Sequence, residues 1–186
     1  MVLHVSKFPP GAKKMEGLAT LHGGRPGLVL CKNLQSPSWM VYLLAHEFGH
    51  VARGHVKKHG VLVDEKVDPQ SKDKEEQEAN RFAIELLTGN PDMRFTADVW
   101  LTAEQLAEAA KSVARRVKVD PGVIAPNYAW QKQFFSVANA ALKRIEPPGS
   151  AIDEINNQMR RGLRWDDIPE TNREYIEKVT GAETRA

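Results

Sequence analysis

The chain has 186 residues, 41% of them hydrophobic and 27% charged, so it is long enough to bury a core and unlike a disordered or fibrous composition. Lysine and arginine number 26 against 24 acidic residues, a formal charge of +2 that argues against nucleic acid or an acidic membrane surface as the main partner. One cysteine, Cys31, excludes an internal disulfide and a cysteine-based zinc finger.

In chain order, residues 1–14 read as irregular, with Pro9-Pro10-Gly11 and Lys13-Lys14 and no apolar core of the kind a signal peptide needs. Two apolar runs follow, Leu18–Leu21 and Leu28–Cys31, separated by Gly23-Gly24-Arg25-Pro26-Gly27; this predicts a β-hairpin with a five-residue turn. Ser36-Pro37 is a helix start, with serine as N-cap and proline in the first turn. Val41, Leu44, Ala45, Phe48 and Ala52 then form a helical stripe that ends near Gly54. The run from Trp39 to Ala45 is the longest apolar stretch, far short of the ~20 residues that cross a bilayer. A cytoplasmic protein is expected.

Residues 57–74 read as a loop around Asp68-Pro69, with a short strand at Val61-Leu62-Val63. A second helix is predicted from Lys74 to Leu87, closed by Gly89-Asn90-Pro91. Thr102-Ala103-Glu104-Gln105 is a capping box opening a third, and Asp120-Pro121 starts a short one. Gln131–Ile145 reads as a further helix, stopped by Pro147-Pro148-Gly149, and weaker helical patterns lie at 152–159 and 171–179. The expected class is α+β: a mostly helical, zincin-like domain with a small hairpin sheet on its active-site helix. The expected division is 1–91 for the core, 92–146 for a helical region packed on it, and 147–186 for a polar helical tail.

The chemistry is carried by His46-Glu47-Phe48-Gly49-His50, an H-E-x-x-H pattern. Residues four apart share one helical face, so His46 and His50 can grip one Zn²⁺, and Glu47 is placed to act as general base. A catalytic zinc takes three protein ligands. His55 and His59 lie about 180° and 220° around the helix from His46, so neither points at the metal unless the helix breaks at Gly54. In the second helix, Glu76 falls on the stripe of Ala79, Ala83, Leu86 and Leu87, where a carboxylate is costly unless paired or bound to metal. Glu76 is therefore the expected third ligand, with Asn80 supporting it. Glu75 and Glu78 are its substitutes. Tyr42, His55 and Tyr128 are candidates for the oxyanion or proton-transfer group. The four tryptophans read as packing, Cys31 as an inert buried thiol, and the pairs Lys57-Lys58 and Arg115-Arg116 as solvated faces.

H-E-F-G-H, followed some thirty residues later by Glu76-Gln77-Glu78-Ala79-Asn80-Arg81-Phe82-Ala83-Ile84-Glu85-Leu86-Leu87, resembles the ImmA/IrrE family of metallopeptidases. The resemblance covers residues 17–91 best. It implies a gluzincin-like fold with Glu76 as third ligand, and it implies a separate repressor or antitoxin-type regulator as substrate. No helix-turn-helix pattern precedes the motif, so tight nucleic-acid binding is not expected. The alternative is a regulatory module that binds a partner protein through a zinc-containing fold and does little or no proteolysis.

Overall fold

The computed structural model describes residues 1–8, 11–12, 14–68, 70–147 and 150–181. Pro9, Pro10, Lys13, Pro69, Pro148 and Gly149, named above as loop or stop signals, lie outside the described residues. The fold is α+β, with seven helices and a four-stranded sheet among the described residues.

Strands β1 (Val2–His4), β2 (Gly17–His22), β3 (Arg25–Leu30) and β4 (Val61–Asp64) lie in the order β1-β3-β2-β4. The hairpin is the expected one, but its turn is two residues, not five: His22 pairs with Arg25, and Gly23 and Gly24 both have positive φ (56° and 78°). Two consecutive positive φ values fit the twist of a tight hairpin and are cheap only for glycine. β1 corrects the reading of residues 1–14 as irregular; it pairs parallel to β3. Its outer edge is met by the side chain of Asn156, whose Oδ1 accepts from His4 N (2.8 Å) and whose Nδ2 donates to His4 O (3.1 Å). An amide that imitates a neighbouring strand protects that edge. β4 lies on the opposite edge, antiparallel to β2.

Helix α1 (Pro37–Ala52) lies on the sheet, starting at the Ser36 cap, whose hydroxyl accepts from Trp39 N. Leu30, Met40 and Leu43 form one core beneath it, and Ala19, Leu28 and Val56 another. Helix α2 (Lys74–Thr88) crosses α1 very closely. A Cβ on Gly49 would come within 3.0 Å of the backbone of Ala79, so glycine and alanine at these positions set the approach. Asp73 caps α2 by accepting from Glu75 N and Glu76 N, and Gly89 ends it in the left-handed conformation. Of the expected α2 stripe, Ala79 and Ala83 are fully buried, whereas Leu86 is 56% exposed.

Helices α3 (Ala103–Val117), α4 (Pro121–Lys132) and α5 (Phe135–Ile145) pack into a second core built on Leu106, Tyr128, Ala138 and Leu142. The predicted helix 131–145 is shorter, because residues 131–132 finish α4 and Gln133 closes it at φ 58°. Helices α6 (Ala151–Gly162) and α7 (Glu170–Thr180) follow, α6 packing on β1 and the Leu30 core through Ile152 and Ile155. No described helix is long and apolar enough to cross a membrane.

A four-donor candidate metal centre

His46 and His50 sit on the buried face of α1, one turn apart, with Nε2 atoms 3.1 Å from each other. Glu76 reaches in from the first turn of α2, its two carboxylate oxygens 3.4 and 3.5 Å from Nε2 of His50 and His46. Asp64, the last residue of β4, completes the group: its Oδ2 is 3.4 Å from both Nε2 atoms. One donor atom from each of the four residues lies within 4.8 Å of the others. His46 and His50 are fully buried and Asp64 is 7% exposed.

These donors fit a divalent cation. Asp64 Oδ2 and Glu76 Oε2 are buried without a hydrogen-bond partner, which is costly for carboxylate oxygens unless a cation meets them. Zinc bonds of about 2.0–2.1 Å to nitrogen and oxygen place tetrahedral donors roughly 3.3–3.4 Å apart, close to the separations found here. The group can therefore hold a metal ion.

Both imidazoles are oriented from behind. Asn80 Oδ1 accepts from His46 Nδ1 (3.0 Å) and from the Tyr42 hydroxyl (2.8 Å), while Asn80 Nδ2 donates to Asp68 O (3.2 Å). An amide oxygen only accepts, so His46 carries its proton on Nδ1 and turns the Nε2 lone pair to the cluster. For His50 the support is His55. Nε2 of His55 faces the carboxylate of Glu78 (3.1 Å) and its Nδ1 faces Nδ1 of His50 (3.0 Å). The carboxylate accepts a hydrogen bond from His55 Nε2–H, so His55 Nδ1 accepts from His50 Nδ1–H, again freeing Nε2 for the cluster. That hydrogen bond also holds Glu78 below the usual carboxylate range.

His55 is thus behind His50 and outside the donor group. The helical angle that pointed it away holds only while the helix continues; α1 ends at Ala52, and Gly54 (φ 80°) folds the chain back. Glu78, the sequence's substitute for Glu76, is half-exposed, tied to His55 and outside the donor group. The other two oxyanion candidates do not face the cluster. The Tyr42 hydroxyl is spent on Asn80, and burial, with the Glu76 carboxylate adding to it, pushes its pKa far up. Tyr128 is in the α3–α4–α5 core, where its hydroxyl accepts from Leu101 N.

Glu47 is fully buried and points at β2. A Cβ on residue 17 would fall 1.6 Å from its Oε1, so only glycine leaves room. Both carboxyl oxygens are buried, and the one carboxyl group they meet closely is that of Asp64. Burial, then the charge of the adjacent Asp64, push its pKa up to about 9.

Asp64 was missed from sequence. One signal was there: in Val61-Leu62-Val63-Asp64 the alternation puts Leu62 and Asp64 on one face, and an aspartate ending the buried face of a strand wants a partner.

A His/His/Glu/Asp group on a helix–strand scaffold, with a glutamate between the histidines, defines a metal-dependent hydrolase type of site. A family model described as the IrrE N-terminal-like domain, Peptidase_M78, matches residues 2–125, well over half of the chain. The chain belongs to this family of metallopeptidases. No match is found among curated proteins.

Proposed function

We propose that the chain is a zinc-dependent endopeptidase in which His46, His50 and Glu76 hold the metal, Glu47 is the general base and Asn80 orients His46. The observation that carries this reading is the convergence of four metal-ligating atoms beside Glu47 in a member of a peptidase family. When bound, zinc polarises a carbonyl and brings a water molecule to a pKa of about 7. The protein does the rest. Asn80 and the Glu78–His55 pair hold the two imidazoles in the metal-binding tautomer. The close α1–α2 crossing at Gly49 and Ala79 carries Glu76 to them. Glu47 takes a proton from the attacking water and gives it to the leaving amine. Its raised pKa makes it a strong proton acceptor, and a cation among the donors lowers that affinity toward the working range.

The proposed substrate is a transcriptional repressor or antitoxin-type regulator. A peptide target fits the family, and recognition falls to surfaces away from the metal. Phe134 (39% exposed) stacks on Trp100 (65% exposed) with ring centroids 4.5 Å apart, and Lys132 lies over the Trp100 ring. Exposed aromatics of this kind anchor protein interfaces. Trp130 is buried beside a cavity of about 390 Å³ also lined by Trp39, Tyr42 and Phe135.

A second reading has one observation in its favour. Four protein donors are typical of structural zinc sites, as in a regulatory binding module. Glu47→Gln separates the two. In the peptidase it keeps the metal and loses cleavage of a co-expressed regulator by roughly 10²-fold or more. Unchanged biological function in this variant leaves only the binding module.

A further inference from the structure

We infer that Asp64 is a fourth protein ligand that closes the metal site at rest, and that it must leave before a substrate can be bound there. This rests on the proposed metal reading and adds regulation to it. A catalytic zinc with three protein ligands keeps its fourth position free. Here that position is filled from within the chain. The two imidazole Nε2 atoms are 3.1 Å apart, Asp64 Oδ2 is 3.4 Å from each, and the two Glu76 oxygens are 3.5 and 3.4 Å from His46 and His50, with one donor atom of each residue within 4.8 Å of the others. The Asp64 oxygen is equidistant from the two histidines, and the Glu76 oxygens approach them equally closely. Toward the two histidines, Asp64 stands as Glu76 does. Its carboxyl group also meets Glu47, but Oδ2 itself is buried without a hydrogen-bond partner and lies between the two imidazoles.

The block extends to Glu47. Gly17, whose missing side chain makes room for Glu47, is the register partner of Asp64 across β2 and β4. The base therefore sits against the strand that carries the fourth ligand, with both oxygens sealed from solvent. A site with its fourth position filled and its base walled off cannot accept a scissile carbonyl without movement.

The element that would move is a short edge strand, tied at its ends by Leu21 N to Gly60 O (3.2 Å) and Glu16 N to Asp64 O (2.8 Å). β4 has four residues, pairs only with β2 among the described residues, and exposes Val61 (62%) and Val63 (49%). Past Asp64 the chain is held by side chains: Val67 N donates to Glu16 Oε2, and Asp68 O accepts from Asn80. Short edge elements with few partners belong to the parts of a fold that open at low cost. Asp64 can leave as a carboxylate while His46, His50 and Glu76, on two helices, stay in place.

The test uses the full chain loaded with Co²⁺ in place of zinc, and acetohydroxamate as a probe of a free coordination position. Wild type should bind one Co²⁺, show a four-coordinate visible spectrum and resist the hydroxamate. Asp64→Asn and Asp64→Ala should keep the Co²⁺, change the spectrum, and bind the hydroxamate roughly tenfold or more tightly than wild type. Circular dichroism checks the fold, and the asparagine variant, equal in size, carries the test if the alanine variant does not fold. Equal hydroxamate affinity in wild type and Asp64→Asn, with unchanged spectra, overturns the role of Asp64 and leaves the three-ligand peptidase intact. Full Co²⁺ binding by the double variant His46→Ala/His50→Ala would instead overturn the metal assignment, and this inference with it.

Discussion

Oε1 of Glu47 occupies the place of the side chain that Gly17 lacks: a Cβ there would lie 1.6 Å from it. Gly17→Ala must therefore push Glu47 aside or force β2 outward. Overpacking of a tight interior costs about 1–3 kcal/mol. The expected outcome is a lower denaturation midpoint by that amount, with metal content near one per chain, because residue 17 meets the donor group only through its strand pairing with Asp64, while His46, His50 and Glu76 are carried by α1 and α2. Proteolysis, assayed on the same regulator as for Glu47→Gln, should fall as Glu47 is displaced. Wild-type stability and activity together in Gly17→Ala would show that Glu47 is not held as described.

His55 gives the second prediction. It orients His50 without belonging to the donor group. Loss of such an outer partner typically weakens metal binding by about 10–100-fold. His55→Ala should do so in a competition titration with a chromophoric chelator, and Glu78→Gln should do less, since Glu78 is 42% exposed and water can replace it. An effect of Glu78→Gln as large as that of His55→Ala would mean that the charge, not the ring, sets the orientation of His50.

What could be read from the sequence divides along the range of the interactions. His46, Glu47 and His50 lie within one helical turn and a half, so spacing alone places them on one helix. Glu76 is legible because a carboxylate on the buried stripe of α2 needs a partner, and Asn80 because it lies one turn further along the same helix; the structure brings both to His46. Asp64 needed the β2–β4 pairing, which joins residues 17–20 to 61–64; locally, only its place on the Leu62 face of the strand hinted at it. β1 was invisible for the same reason, being only Val2–His4 and held by β3 and Asn156. His55 failed through a boundary: its direction depended on whether the helix outlasts Gly54. The break between α4 and α5 turns on a single left-handed residue, Gln133, which is not a residue type that announces one.

The third prediction concerns acid. His4 is 1% exposed, with Nε2 against Lys32 O (3.0 Å) and Nδ1 against the Ser6 hydroxyl (3.1 Å). Burial lowers its pKa, and the bond to Lys32 only partly offsets this. The unfolded chain therefore takes up a proton near pH 6.5 that the folded chain resists. The stabilisation associated with neutral His4 is complete above that pH and is lost as pH falls through it. Urea midpoints of chelator-treated protein between pH 7.5 and 5 should fall more steeply for wild type than for His4→Gln. Parallel pH profiles would remove His4 from the acid response. The comparison between variants matters, since His46, His50 and His55 are common to both.

The last prediction is that metal carries a large share of the stability of this fold. Without a cation, Asp64 and Glu76 each leave a buried oxygen unpartnered, and Glu47 leaves two. Burial of unpaired carboxylates opposes folding, and three lie within one small region. A ligand that binds only the folded state adds RT ln(1 + [L]/Kd), about 4 kcal/mol when it is at a thousand times its dissociation constant. Removing zinc with a chelator should therefore lower the thermal midpoint by many degrees, and added zinc should restore it. In His50→Ala the midpoint should start low and respond little to either treatment. The contrast between the metal-binding elements and the core of α3, α4 and α5, which supplies none of the four donors, sharpens this. Amide hydrogen exchange on chelation should rise first in β4 and the first turn of α2, which supply Asp64 and Glu76, while Leu106, Tyr128 and Leu142 stay protected. A midpoint insensitive to chelation in a protein shown to lose its zinc would mean that the four donors pack as stably without the ion as with it.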